Sequence, residues 1–218
     1  MFRFQDRSQA GQYLASQLKP YAGDPKAIVL GLPRGGVIVA YELARILKLP
    51  LDVFLVRKLG TPGNEELAMG AIASGGIRVM NEDVVRELRI SNAAIEAVAM
   101  KEGVELRRRE EAYREKRPPL DVEGRTVIVV DDGLATGATM RAAVLALKKL
   151  APRRLVVAVP TAAPDTCDAF REEVDEIICG MTPEPFYGVG AWYEQFPQNT
   201  DDEVRERLVD SDRGAGKK

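Results

Sequence analysis

Residues 127–140 read VIVVDDGLATGATM: an apolar, β-branched run meets two adjacent acids and then a Gly/Thr-rich turn that opens a helical pattern. No other stretch restricts the fold as much, because a buried strand feeding directly into a helix is the unit from which parallel α/β sheets are built. Such a junction leaves unpaired N–H groups and the positive end of the helix dipole pointing out beyond the sheet, where a phosphate can be held. Gly133 and Gly137 let the backbone fold closely around that anion, and the hydroxyls of Thr136 and Thr139 can donate to its oxygens. Asp131 and Asp132 fall at the strand's C-terminal end, the usual ligand crevice of open α/β sheets. Carboxylates there suit a ribose: they accept from vicinal hydroxyls, and their charge favours an oxocarbenium-like centre during substitution at the anomeric carbon.

The rest of the chain alternates in the same way. Asp6 is placed as a helix N-cap before Ala10, Tyr13, Leu14 and Leu18 at helical spacing. Residues 27–32 form a short apolar strand, Pro33, Arg34, Gly35 and Gly36 a turn, and Val39, Leu43, Ile46 and Leu47 the apolar side of a second helix. A strand is expected over 51–56, then a polar, glycine-bearing and mobile loop over 57–66. Residues 67–73 and 77–80 read as two strands joined by a hairpin turn at Ser74, Gly75 and Gly76. Residues 81–117 read as two helices, with Ser91 as a cap and the run RRREEAYREKR as a solvated face held by weak ion pairs. Strands over 126–130, 155–159 and 176–179 alternate with helices over 140–150 and 164–173. The fold class predicted is α/β, a mostly parallel doubly wound sheet with helices on both faces.

At 218 residues, with 45% hydrophobic and 29% charged residues, the chain suits one packed domain over 1–210 with a flexible polar tail over 211–218. A formal charge of −2 leaves no basic excess for a run of phosphates, so no nucleic-acid partner is expected. The absence of histidine excludes Ser-His and Cys-His nucleophile pairs and imidazole proton shuttles. Cys167 and Cys179 stand in unrelated contexts, which predicts neither a zinc site nor a disulfide scaffold but reduced thiols in the cytoplasm. No signal peptide and no membrane-spanning segment are expected. Neither a G-x-x-x-x-G-K-[ST] loop nor a G-x-G-x-x-G fingerprint is present, which sets aside two other phosphate-binding designs.

The string at 127–140 resembles the 5-phosphoribosyl-1-pyrophosphate (PRPP) signature of the type I phosphoribosyltransferases, in which an apolar strand precedes two acids and a T-G-x-T phosphate loop. The resemblance runs in order over about residues 27–180, with a charged helical insert at about 81–117 and a small C-terminal hood at about 181–210. It implies that Asp131 and Asp132 are the catalytic acids, and that Gly133, Ala135, Thr136, Gly137, Ala138 and Thr139 bind the 5′-phosphate. It assigns the pyrophosphate to Arg34, Gly35 and Gly36, with Lys58 and Arg57 as further candidates on a flexible loop that closes over the reacting centre. Trp192 and Tyr193, in the aromatic and glycine-rich string of the hood, are candidates for stacking on a base.

The implied cofactor is Mg²⁺ riding on the pyrophosphate, with no protein ligand assigned to it. The implied partners are PRPP and a purine or pyrimidine base, without a membrane, and a homodimer is the assembly to test. Phosphoribosyltransferases acting on 6-oxopurines usually carry an acid where this chain has Ala135, which counts against hypoxanthine and guanine. PRGG, VRKLG, the charged insert and the late G-V-G-x-W-Y string are similar to a bacterial and archaeal group with unassigned acceptors. The expected activity is transfer of the phosphoribosyl group to a nitrogenous base. The alternatives are a PRPP-sensing regulator without transferase activity and a phosphoribohydrolase- or phosphorylase-like enzyme using water or phosphate.

Overall fold

The computed structural model describes residues 2–114 and 117–215. In chain order its elements are α1 (Arg7–Gln17), β1 (Ala27–Gly31), α2 (Gly35–Leu47), β2 (Leu51–Val53), β3 (Val56–Thr61) and β4 (Asn64–Ala73). Next come β5 (Ile77–Met80), α3 (Glu82–Glu87), α4 (Asn92–Arg114), β6 (Thr126–Val130) and α5 (Ala138–Lys149). β7 (Arg154–Thr161), α6 (Pro164–Phe170), β8 (Glu176–Met181) and α7 (Asp201–Ala215) follow. Contacts divide the chain into one unit of Met1–Val53, Asp121–Thr136 and Ala151–Lys218 and another of Phe54–Leu120 and Gly137–Leu150. Among the described residues no helix is long and apolar enough to cross a membrane.

The first unit is built on a five-stranded sheet in the order β2-β1-β6-β7-β8, every neighbouring pair parallel. All five residues of β1 and of β6 are buried, which is why these segments are continuously apolar rather than alternating. Each fully buried Val, Leu or Ile there contributes about 1.5–3 kcal/mol relative to exposure. From β1 the chain steps outward to β2, then returns to build β6, β7 and β8 on the other side, so strand order reverses between β1 and β6. Gly31 lies opposite Val130, so the two strands end level and their outgoing loops begin side by side. The mostly parallel sheet with flanking helices expected from the sequence is therefore present.

Local chemistry starts the helices of this unit. The Asp6 side chain accepts from the Gln9 N–H at 2.8 Å, as an N-cap should. Thr200 and Glu203 form a reciprocal capping box at α7: Glu203 N–H donates to Thr200 Oγ1 at 3.2 Å, and Thr200 N–H to Glu203 Oε2 at 2.6 Å. That start carries α7 to Ala215, so residues 211–215 are helical and not the polar tail expected; residues 216–218 lie outside the described residues. The expectation of reduced thiols is also overturned. Cys167 on α6 and Cys179 on β8 are joined by a disulfide, because the strand after α6 returns beside it and brings their Cα atoms to 6.6 Å.

The second unit contains the antiparallel sheet β3-β4-β5 with α3, α4 and α5. Here the mobile loop expected over 57–66 is replaced by a hairpin, in which Val56 pairs with Ala73 and Thr61 with Asn64. Its turn is made by Pro62 and Gly63, the glycine at φ 83°, and Thr61 Oγ1 donates to the Asn64 carbonyl at 2.8 Å. The hairpin between β4 and β5 and the two helices α3 and α4 occur as the sequence predicts. On α4, Glu105 accepts from Arg108 Nε at 2.9 Å and Arg109 Nε at 2.7 Å. Those hydrogen bonds hold the Glu105 carboxyl at about 2, the ion-paired helix face expected. Residues 115 and 116 of that run lie outside the described residues.

Candidate functional site

The loops after β1 and β6 leave the sheet on either side of the strand-order reversal, the position where open α/β sheets bind ligands. They are fitted to each other at atomic distance. A Cβ on Gly35 would lie 2.0 Å from Asp132 Oδ2 and 2.7 Å from Arg7 Nε, and one on Gly36 would lie 2.7 Å from the Val130 carbonyl and 2.8 Å from Asp131 Cα. Both glycines of the PRGG turn are therefore required by the approach of its backbone to the acid pair. The Pro33–Arg34 peptide is cis, and α2 begins at Gly35 with no side chain capping it. The Arg34 side chain is 41% exposed, with Nη1 3.9 Å from Asp201 Oδ1, a contact long enough to leave the guanidinium able to pair elsewhere.

The acid pair is held from several directions. Asp131 Oδ1 accepts from the Asp132 N–H at 2.8 Å, and Asp132 Oδ2 accepts from Arg7 Nε at 2.8 Å. The Asp132 carbonyl accepts from the Tyr193 hydroxyl at 2.6 Å. Arg7 is itself buried: its Nη1 donates to the Pro197 carbonyl at 2.8 Å, and its guanidinium lies 3.8 Å from the centroid of the Phe196 ring. Burial, and after it the charge of Asp132, pushes the Asp131 carboxyl well above the usual range. Burial raises Asp132 as well, but Arg7 pulls against that rise through its charge and its hydrogen bond. The Tyr193 phenol is raised by burial and by Asp132, so it remains a donor.

Beyond the acids the loop is anchored within the first unit. Leu134 N–H donates to the Thr161 carbonyl at 2.9 Å, Ala163 N–H returns to the Leu134 carbonyl at 2.9 Å, and Thr166 Oγ1 donates to the Ala135 carbonyl at 2.6 Å. A Cβ on Gly133 would lie 2.5 Å from Val189 Cγ1, so this glycine too is fixed by close packing. Ala135 and Thr136 are exposed between these anchors. Gly137, Ala138 and Thr139 belong to the second unit, where Gly137 precedes α5 at φ 72°, a conformation that favours glycine.

Other predicted residues are placed differently from expectation. Lys58 lies on β3 in the second unit with Nζ 3.3 Å from Glu66 Oε2, and Arg57 Nε donates to Glu102 at 2.7 Å, so both sit in a sheet and are ion-paired. Trp192 and Tyr193 are 3% and 4% exposed, and Tyr193 packs with Phe4, Ala10 and Phe196. Their rings fill a core, while Tyr187 of the same string is 78% exposed. Arg7 and the donor role of the Tyr193 hydroxyl were missed in the sequence, which carries no motif for either. Among the described residues no group of three His, Cys, Asp or Glu could hold a metal, and Arg7 occupies one oxygen of the acid pair.

Comparison with known proteins adds a second line of observation. The family model described as a phosphoribosyl transferase domain matches residues 5–180. Two Mycobacterium tuberculosis proteins, from strains CDC 1551 and H37Rv and each named "Putative phosphoribosyl transferase", are 46% identical over 201 residues. That alignment covers 92% of this chain and 45% of each relative, so the chain spans less than half the length of these curated relatives. The crystal structure of TT1426 from Thermus thermophilus is 44% identical, with a TM-score of 0.89 over 96% of this chain and 99% of that one.

Proposed function

The chain belongs to the phosphoribosyl transferase family, and on that premise we propose that it binds PRPP and transfers its 5-phosphoribosyl group to a nitrogenous base. The observation that carries the reading is the packing of Gly35 and Gly36 onto Asp131 and Asp132 at the strand-order reversal. One loop offers backbone and the Arg34 guanidinium to a pyrophosphate, while the other offers carboxylates to the ribose hydroxyls beside it. A base nitrogen forms the new bond to the anomeric carbon, and the bond from that carbon to the pyrophosphate oxygen breaks. Pyrophosphate leaves with the electron pair, and the nitrogen's proton passes to solvent. The acids favour the positive charge that builds on the sugar in between. Mg²⁺ on the pyrophosphate would neutralise the leaving group.

The assignments of Gly133, Ala135, Thr136, Gly137, Ala138 and Thr139 to the 5′-phosphate, and of Lys58 to the pyrophosphate, rest on the sequence pattern. The test is a calorimetric titration with PRPP and Mg²⁺, then a screen for pyrophosphate release across purine and pyrimidine bases. Binding with base-dependent release establishes the transferase and its acceptor class. Binding without release assigns a PRPP sensor, and no binding overturns the reading of the site.

A further inference from the structure

We propose that Arg7 is a positioning residue for sugar recognition, holding Asp132 so that its remaining oxygen and Asp131 face a pair of vicinal hydroxyls. The proposal rests on the reading of the acid pair as the ribose site. Its starting point is how completely Arg7 is fixed: Nε on Asp132 Oδ2 at 2.8 Å, Nη1 on the Pro197 carbonyl at 2.8 Å, and the guanidinium against the Phe196 ring at 3.8 Å from its centroid. Its planar guanidinium, fixed by Pro197 and Phe196, aims one N–H at Asp132 Oδ2 from a set direction, which a flexible lysine ammonium does not do. Tyr193 holds the same aspartate by its main chain, with the hydroxyl 2.6 Å from the carbonyl. Two segments far apart in sequence thus converge on Asp132, the start of α1 at its side chain and Tyr193 at its carbonyl.

Stability alone does not account for this arrangement. A buried guanidinium–carboxylate pair gains little over apolar side chains of the same volume, because both charges must first be removed from water. Asp132 is also where the first loop closes in: the space a side chain at Gly35 would occupy is taken by Asp132 Oδ2 and Arg7 Nε. A swing of the carboxylate would therefore disturb the acids and the PRGG turn together.

The experiment compares affinities for ribose 5-phosphate and 2-deoxyribose 5-phosphate in the wild type, Arg7→Gln and Arg7→Lys, with circular dichroism to confirm folding. The wild type is expected to prefer ribose 5-phosphate by about tenfold or more, the value of a charge-assisted hydrogen bond. Arg7→Gln is expected to lose most of that preference while affinity for the 2-deoxy sugar stays within about twofold, and Arg7→Lys to recover part of it. A purely structural tie would weaken both ligands in parallel or neither, and either result overturns the proposal. Should Arg7→Gln not fold, Arg7→Lys is judged by the same ratio. A wild type that does not distinguish the two sugars overturns the ribose reading of the acids, and this proposal with it.

Discussion

Asp131 and Asp132 follow directly on a strand whose five residues are all buried, so the folded chain penalises ionised Asp131 where a solvated unfolded chain does not. Its carboxyl, held above the ordinary range near 3.9, ionises at a higher pH in the folded chain than in the unfolded one. Stability from this group is therefore greatest below that range and declines as pH rises through the folded value. Asp131→Asn removes the penalty, and at pH 8 it is expected to raise the melting temperature by about 2–4 °C, the equivalent of about 1 kcal/mol. The gain should vanish near pH 4, and PRPP binding should be lost at both pH values. Thermal scans across pH check this; a variant equally destabilised at both ends would mean that the hydrogen bond from the Asp132 N–H outweighs burial. The acids themselves were legible because strand, charges and phosphate loop stand together in one string. Arg7 was not, since it lies 125 residues from Asp132 and its helix pattern reads the same with any polar residue there.

At the scale of elements, hydrophobic runs gave away the parallel strands, whereas residues 57–66 read as a loop because charged and glycine residues outweigh apolar ones. The overlooked signal was turn chemistry: in Thr61-Pro62-Gly63-Asn64, proline presets the first turn residue and glycine supplies the positive φ of the second. Gly63 has open space where a Cβ would sit, so Gly63→Ala is penalised by its φ of 83° alone, about 1 kcal/mol. Urea unfolding should show that loss without a change in slope; no loss would mean that the turn is not held in this conformation. The disulfide was illegible for a different reason. Two cysteines 12 residues apart in unlike contexts meet only because β8 returns beside α6. Closing a loop of that size contributes about 2–4 kcal/mol, so reduction is expected to lower the melting temperature by several degrees. A thiol titration reading none before reduction and two after it would accompany the loss, and two reactive thiols in the untreated protein would contradict the bond.

For the molecule as a whole, ligand binding must appear as stability, because anything that binds the folded chain and not the unfolded one raises the melting point by mass action. PRPP with Mg²⁺ at about 100 times its dissociation constant should add about 2.7 kcal/mol, a shift of about 5–10 °C for a chain of this length. Chelation separates where the metal acts. The acid pair has one oxygen committed to Arg7, and Mg²⁺ favours phosphates and water over protein groups, so under the proposed function the ion should arrive on the pyrophosphate. EDTA should then remove most of the PRPP shift and leave the smaller shift from ribose 5-phosphate, which has no pyrophosphate, unchanged. If EDTA abolishes both shifts, the metal is held by the protein, and the account of the donor set fails. If neither ligand shifts the melting point, the two loops at the strand-order reversal do not form a phosphoribosyl site in this chain, and its membership of the family reflects the fold without the binding.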